Sequence, residues 1–528
     1  MTAVLAEAPG TAAVDAAPSR RALLALARVE LVRMLRHPVT IGATVLLAGS
    51  WVSAWFLIET SRYPVLQDLD RDSAISMMIL LGGAALIVGN LAVLRAHRDG
   101  TTGLSQVLIL PEYTRTLAHL LAMLPLALVG AVLIVARMAV LALYAPAAGQ
   151  PNPYELAIGP ATVLLLGALG VLLGRLTRSA VVAPLALLVL LAGLVVLEPL
   201  TNRGTALWLA PQGGPALEMP TPVALIARPA GAHLGYLLGL AGLLAVTAVL
   251  RAGARGVRVA VAGAVALAVT VALGTAQLSP PSSDVAAART AVMNHPSQHQ
   301  TCQQIEHVTY CAFTGFSSWV PAWNTVVQAV VDQVPATARS AQLTVRQRIA
   351  ILNFDRGVRP EQRLAIWRAD DAAAGTPGAI GIATRWGDGR EAAYLAAQVA
   401  YRLVTGQTGE EPAGQQSLDG ATACGGVGVL VLWLAGQAST GAESRLRLLA
   451  KDARDPRGGI SFDENERFPR VYVPAAEFGV AMQALARSRT DIAARVQQSW
   501  ATLTAPGTTA AQAAQILGVP APATSTAC

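Results

Sequence analysis

The sequence predicts a polytopic α-helical membrane protein of about seven spans, followed by an α-rich α+β extracytoplasmic domain. Three observations carry this expectation. Only 13% of the residues are charged, against roughly 25% in a soluble globular chain, and the mean hydropathy is +0.48. Long apolar runs crowd residues 1–278 and are missing from 280–528, so the chain divides into a membrane unit and an ordinary globular one. All four cysteines, Cys302, Cys311, Cys424 and Cys528, fall in the second unit, which places that unit in an oxidising compartment.

The elements follow in order. Residues 1–18 hold mostly small residues with two acids and read as a disordered cytoplasmic tail. No cleavable signal peptide is expected, because the first apolar run is long and starts late. Over 19–36 a helical wheel gathers Leu23, Leu24, Ala27, Leu31, Met34 and Leu35 on one face and spreads Arg20, Arg21, Arg28, Arg33 and Arg36 over the other. That is a basic amphipathic helix suited to the membrane interface. Spans are predicted at 38–58, 75–94, 117–144, 156–174, 179–197, 233–250 and 257–278. Pro125 falls in the third, Pro160 in the fourth and Pro184 in the fifth, where neighbouring helices must satisfy the freed backbone groups.

Arginine placement orients the spans. With the N-terminus inside, the inner segments hold thirteen arginines and the outer loops only Arg62, Arg71, Arg203 and Arg228. Positive charge collects on the cytoplasmic side, so the N-terminus is expected there. Residues 279–528 then lie across a plasma membrane that the chain crosses several times. The loop from Pro199 to His233 is apolar but broken by six prolines. It is expected to form short re-entrant or interfacial helices that cap the bundle.

The globular unit begins after Ser279-Pro280-Pro281-Ser282-Ser283. Helices are expected at 322–334, 390–404, 424–437 and 475–503, with a strand in 342–352 and a last helix capped by Thr508. The run 425–434 is short and glycine-rich and reads as a buried core helix rather than an eighth span. Cys302 and Cys311 enclose a short loop and are the expected disulfide, while Cys424 and Cys528 either pair or stay free.

Several chemistries lack their residues. The single lysine, Lys451, precedes Asp452, so no Gly-x-x-x-x-Gly-Lys-Ser/Thr loop can cradle a nucleotide. There is no His-Glu-x-x-His and no Gly-x-Ser-x-Gly. His295 and His299 are spaced like ligands, but Pro296 between them and the missing glutamate argue for a solvated loop. No catalytic residue and no metal site are assigned. Asp370-Asp371 and Glu410-Glu411 read as solvated surface. Trp319 and Trp323, flanking Pro321, read as core or membrane rim. Arg137 is an isolated charge inside a span and is a candidate for the transport path by default, with Glu198 as a candidate partner.

One polar, basic stretch separates the second and third spans, from Arg95 to Arg115. It ends one apolar run with Arg98, Asp99 and Gly100, then writes an amphipathic segment from Leu104 to Leu110 stopped by Pro111. The order of an interfacial N-terminal helix, six spans and an amphipathic loop between spans two and three resembles the type-2 ABC exporter permeases over about residues 19–250. The resemblance implies that Arg98, Asp99, Leu104, Val107, Leu108 and Pro111 dock a separate P-loop ATPase subunit. ATP and magnesium would then sit on that partner and no cofactor on this chain. It also implies a homodimer or paired permease. The seventh span and the globular unit depart from the family plan, so the cargo is not implied. Apolar spans favour an amphipathic one: a lipid, a peptide or an antibiotic-like molecule. Two other classes compete with this reading, a membrane-anchored extracytoplasmic enzyme resembling a relict peptidase and a ligand-binding sensor. No nucleic-acid partner is expected, because the excess positive charge flanks the spans.

Overall fold

The structure is a computed structural model. It describes residues 20–100, 110–200, 205–212, 219–339, 342–351, 358–409, 420–438, 441–452, 458–463 and 468–522. The tail predicted at 1–18, most of the predicted docking segment, and Cys528 lie outside the described residues.

Six described helices are long and apolar enough to cross a membrane, consistent with a polytopic helical membrane protein. The chain opens with α1 (Arg20–Leu35) and α2 (Pro38–Leu57). Pro38 starts α2 at a position where its missing N–H is not needed, and His37 accepts a bond from the Val39 N–H at 3.3 Å. Next comes α3 (Leu66–Met77), a π-helical turn (Met78–Gly82) and α4 (Gly83–Arg98). These three form one continuous candidate span, Leu66–Arg98. It begins nine residues earlier than the hydropathy run, because the polar stretch Gln67–Asp72 is itself helical. Glu112–Tyr144 forms α5, Pro153–Thr177 forms α6 and Val182–Leu200 forms α7. Asn152 caps α6 through a 2.9 Å bond from Tyr154 N. Ala230–Arg251 forms α8 and Val257–Ala276 forms α9. The fifth predicted span corresponds to α7, which lies along α4 and α6. Its well-described part, Val182–Val196, counts as a shorter apolar helix.

Small residues let the central helices approach closely. A Cβ on Gly170 of α6 would stand 2.1 Å from the Leu86 carbonyl oxygen of α4. Gly170 and Gly174 make the Gly-x-x-x-Gly spacing that permits such contact. The loop between α7 and α8, where short capping helices are expected, is described at 205–212 and from 219 onward. It holds two 3₁₀ turns, Thr205–Leu209 and Val223–Leu225, with Leu207, Met219, Thr221 and Leu225 buried.

The globular part starts with α10 (Ser283–Asn294), whose Ser282 cap accepts from Val285 N at 3.4 Å. Strands β1 (Gln300–Ile305), β2 (Val308–Phe313), β3 (Leu343–Arg348) and β4 (Ile380–Ala383) form one sheet in the order β1-β2-β3-β4. The first pair is a hairpin and the other two pairs are parallel. Helices α11 (Val320–Val331) and α12 (Pro360–Ala373) supply the crossovers. After α13 (Arg390–Thr405) come β5 (Ala421–Thr422), α14 (Gly425–Ala435) and α15 (Ala442–Asp452). Strands β6 (Ile460–Phe462) and β7 (Val471–Val473) complete a second sheet, ordered β5-β7-β6.

Both α13 and α14 are buried on nearly every side. The apolar run at 425–434 is therefore a core helix, as its length implied. The long helix expected over 475–503 is instead three: α16 (Ala475–Leu485), α17 (Arg489–Gln498) and α18 (Trp500–Leu503). The last helix, α19 (Ala510–Leu517), is capped by Thr509 rather than Thr508. Thr509 and Gln512 exchange bonds at 2.9 and 3.2 Å, the reciprocal arrangement of a capping box.

Asp370 and Asp371 are buried, not solvated. On β3 a period of two puts Arg346 and Arg348 on one face, and both arginines are buried against these acids. Arg346 Nε lies 3.3 Å from Asp371 Oδ1, and Arg348 bonds the same carboxylate. Asp370 accepts from Ser297 N at 2.9 Å and Ser297 Oγ at 2.7 Å. Adjacent acids in sequence are thus a cross-layer ion cluster between helix and strand.

The Cys302–Cys311 disulfide is present, between directly opposed residues of β1 and β2. Cys424 is also disulfide-bonded.

Candidate functional site

The globular part is not hung on a free linker. Its main core cluster takes in Val65, Ala148, Met219 and Leu225, which belong to three loops between helices of the bundle. Polar bonds complete the seam. Trp319 Nε1 donates to Pro146 O and Ser318 Oγ to Ala147 O, each at 2.8 Å. Tyr63 donates to Asp388 Oδ1 at 2.6 Å, with Arg62 3.6 Å from the same carboxylate. Burial and the Asp388 hydrogen bond push the Tyr63 phenol up to about 12. Gly149 N donates to Gly315 O at 2.8 Å. Gly149 has φ +72°, a region open mainly to glycine. A Cβ there would also stand 1.6 Å from Gln67 Oε1.

Behind this seam a polar network fills the near end of the bundle. Asp70 is fully buried and accepts from Asn152 N at 3.0 Å. Gln67 Nε2 donates to Thr221 O at 2.9 Å. Arg228 donates to Gln67 O at 2.9 Å and pairs with Asp68 at 3.4 Å. These bonds tie the start of α3 to the loops on either side of it.

Between this network and the globular part lies a cavity of about 800 Å³, within the size range of small-molecule sites. One wall is α2, with Trp51, Trp55 and Phe56. Another is the far half of α5, with Leu133, Arg137, Val140 and Tyr144. Asp68, Arg71 and Asp72 of α3 form the floor, and Trp319, Arg385 and Trp386 of the globular part form the roof. Trp386 is held edge-on between Tyr63 and Trp323, each ring 6.2 Å away.

Arg137 stands in this cavity. Its Nη1 donates to Ser73 Oγ at 2.5 Å, and its guanidinium lies 4.7 Å from the Trp51 ring centroid. Among the described residues no carboxylate forms an ion pair with it. The Glu198 side chain, its expected partner, lies outside the described residues, and the described partners of Arg137 come from α2 and α3. Trp51 Nε1 also reaches Ser76 Oγ at 3.4 Å.

The opposite end of the bundle carries the other predicted residues. Arg98 and Asp99 close α4 as an exposed pair 3.8 Å apart. Pro111 is the N-cap of α5. Leu104, Val107 and Leu108 lie outside the described residues. Beside them is a contact that the sequence reading did not anticipate. Glu30 of α1 is buried, and both of its oxygens accept from Arg95 Nη1, at 2.8 and 2.7 Å. His119 Nε2 of α5 lies 3.9 Å away. One carboxylate thus bonds α1 to α4, and α1 packs along α5, so all three helices meet beside the 99–111 loop. On the predicted apolar face of α1, Ala27 and Met34 are buried but Leu24 is 63% exposed.

Sequence reasoning singled out Arg137 but missed its neighbours. Arg71 and Arg228 entered only as topology charges, and Arg385 and Trp386 not at all. A signal was present in Asp68-Leu69-Asp70-Arg71-Asp72, since alternating charges at the start of an apolar run demand partners. Trp51 and Trp55, at i and i+4 on one helix face, were a second.

Comparison with protein-family models, with curated proteins and with solved structures returns no match. The class defined by fold and site is a mostly helical protein with, among the described residues, six candidate membrane-spanning helices, a sheet-containing region and a cavity where the two meet.

Proposed function

We propose that this chain is the membrane-spanning permease subunit of an ATP-driven exporter. In this reading α7 crosses the membrane with the other six, the globular part is extracytoplasmic, and an amphipathic substrate moves with energy from a separate ATPase subunit. The observation that carries it is the Glu30 junction. A force applied to the 99–111 loop reaches α1, α4 and α5 together, because the buried Glu30 carboxylate ties α1 to α4 and α1 packs along α5. At the other end of α5 the same helix carries Arg137 into the cavity, so one rigid element links the loop to the site. Rigid-body motion of packed helices is an established way of passing such a force. The chain lacks a phosphate loop of its own, so energy enters through a partner.

The test is co-purification. Tagged full-length protein, extracted in mild detergent, is expected to bring down a subunit bearing a Gly-x-x-x-x-Gly-Lys-Ser/Thr loop. Leu104→Asp or Leu108→Asp is expected to abolish the association while membrane insertion persists. If neither substitution weakens the association, or no such subunit is recovered, the exporter reading fails.

A further inference from the structure

We infer that the cavity under the globular part is a binding site for an anionic amphiphile, a carboxylate or phosphate head carried on an apolar chain. This rests on the exporter reading only for its role as cargo site; the binding itself does not require it. Four cations, Arg71, Arg137, Arg228 and Arg385, line the cavity, against two carboxylates, Asp68 and Asp72. Arg228 is already engaged with Asp68 and Asp70. Neither Arg137 nor Arg385 forms a close ion pair among the described residues; Arg385 is exposed, while Arg137 is half-buried and shares the charge of Asp72 with Arg71 and Arg228. A half-buried cation that shares one carboxylate with two other arginines is under-compensated, and an anionic head in the cavity supplies further negative charge. The indole of Trp51 and the hydroxyl of Ser73 hold the Arg137 guanidinium in place while leaving its other N–H groups to a ligand.

The walls point to an apolar tail. Val52 and Phe56 of α2 are 59% and 71% exposed, and Val140 and Tyr144 of α5 are 55% and 80% exposed. These four lie at the cavity's edge, on the segments that would face the hydrocarbon of a bilayer. The cavity's lining therefore grades from exposed apolar side chains at its mouth to Arg71, Arg137 and Arg228 further in. That gradient matches a molecule entering sideways from the bilayer with its tail in the mouth and its head under the globular part.

The experiment uses full-length protein in phosphatidylcholine nanodiscs containing diazirine-bearing palmitate, irradiated and mapped by mass spectrometry. No ATPase is present, so loss of binding and loss of ATPase association are separate failures. Adducts are expected on the α2 segment 51–56 and the α5 segment 140–144. Oleate or phosphatidylglycerol should displace the probe about tenfold more effectively than oleyl alcohol, because a hydrogen bond to an ionised head is stronger than one to a neutral hydroxyl. Oleate winning over phosphatidylglycerol assigns a single-chain ligand; the reverse assigns a bilayer phospholipid. Arg137→Gln should weaken oleate competition about tenfold, and Arg137→Lys by less than about threefold. Ala136→Phe, which fills the cavity without touching a charge, should remove the adducts from a protein that still elutes as one species. Equal competition by oleyl alcohol, protection by inorganic phosphate alone, adducts scattered over other helices, or an unchanged Arg137→Gln variant would each overturn the assignment.

Discussion

Single side chains decide how this molecule is held at both ends. Glu30 drew no attention in the sequence, yet it is the anchor of α1. Removing one partner of a buried ion pair costs about 3–5 kcal/mol. Glu30→Ala is therefore expected to lower the thermal midpoint of the purified protein and to expose α1 to proteolysis, both measurable in detergent. An unchanged midpoint would mean that Arg95 finds water instead. Tyr63 makes a pH prediction. In the unfolded chain its phenol ionises near pH ~10, but docked it keeps its proton to about 12. Between those values only the unfolded state gives up the proton, so stability falls as pH rises through that window. Below it this group contributes no pH dependence. Tyr63→Phe should flatten that part of the profile and weaken the seam by the worth of one charged hydrogen bond, about 1.5–3 kcal/mol. None of these partners could be read from the chain, because Tyr63 and Asp388 are 325 residues apart.

At the scale of elements, hydropathy was a good guide to where long helices form and a poor one to where they begin. All seven apolar runs became helices. The second starts at Leu66 because Asp68, Asp70 and Arg71 find partners, and a sliding average of polarity does not register partners. Tertiary contact likewise divides the predicted helix at 475–503, since propensity is continuous across turns that only packing imposes. Glycine spacing was legible but was passed over. Gly170→Val is expected to drive α4 and α6 apart, because even a Cβ meets the Leu86 carbonyl. Overpacking of this kind costs about 1–3 kcal/mol. The readout is reduced yield of folded protein on size exclusion, with Gly193→Val as a control, since nothing lies within 4 Å of a Cβ there.

Taken whole, the molecule was half legible. Composition and cysteine placement separated a bundle from a globular part, and Arg137, singled out as an isolated charge inside a span, lines a cavity. The cavity itself was hidden, because its walls come from α2, α3, α5 and residues beyond 380. Only the folded chain brings these together. Orientation remains a prediction at this scale. A thiol probe that cannot cross membranes should label a cysteine placed at Ser283 from outside intact cells, and one at Gly100 only after lysis. The native thiols should leave that readout clean, since among the described residues no cysteine is free.

The shared core at the seam has a consequence for how the protein is made. Val65 and Ala148 leave the ribosome long before Trp319 and Trp386, yet their burial depends on the sheet and helices that follow Gln300. Chains are synthesised from the N-terminus and fold domain by domain, so the bundle must first insert with these apolar loop residues uncovered. A nascent chain stopped before residue 300 would keep that surface exposed and would depend on a chaperone. Completion of the globular part is then the step that ends this dependence, and quality control of the membrane helices is in effect exercised by the last half of the chain.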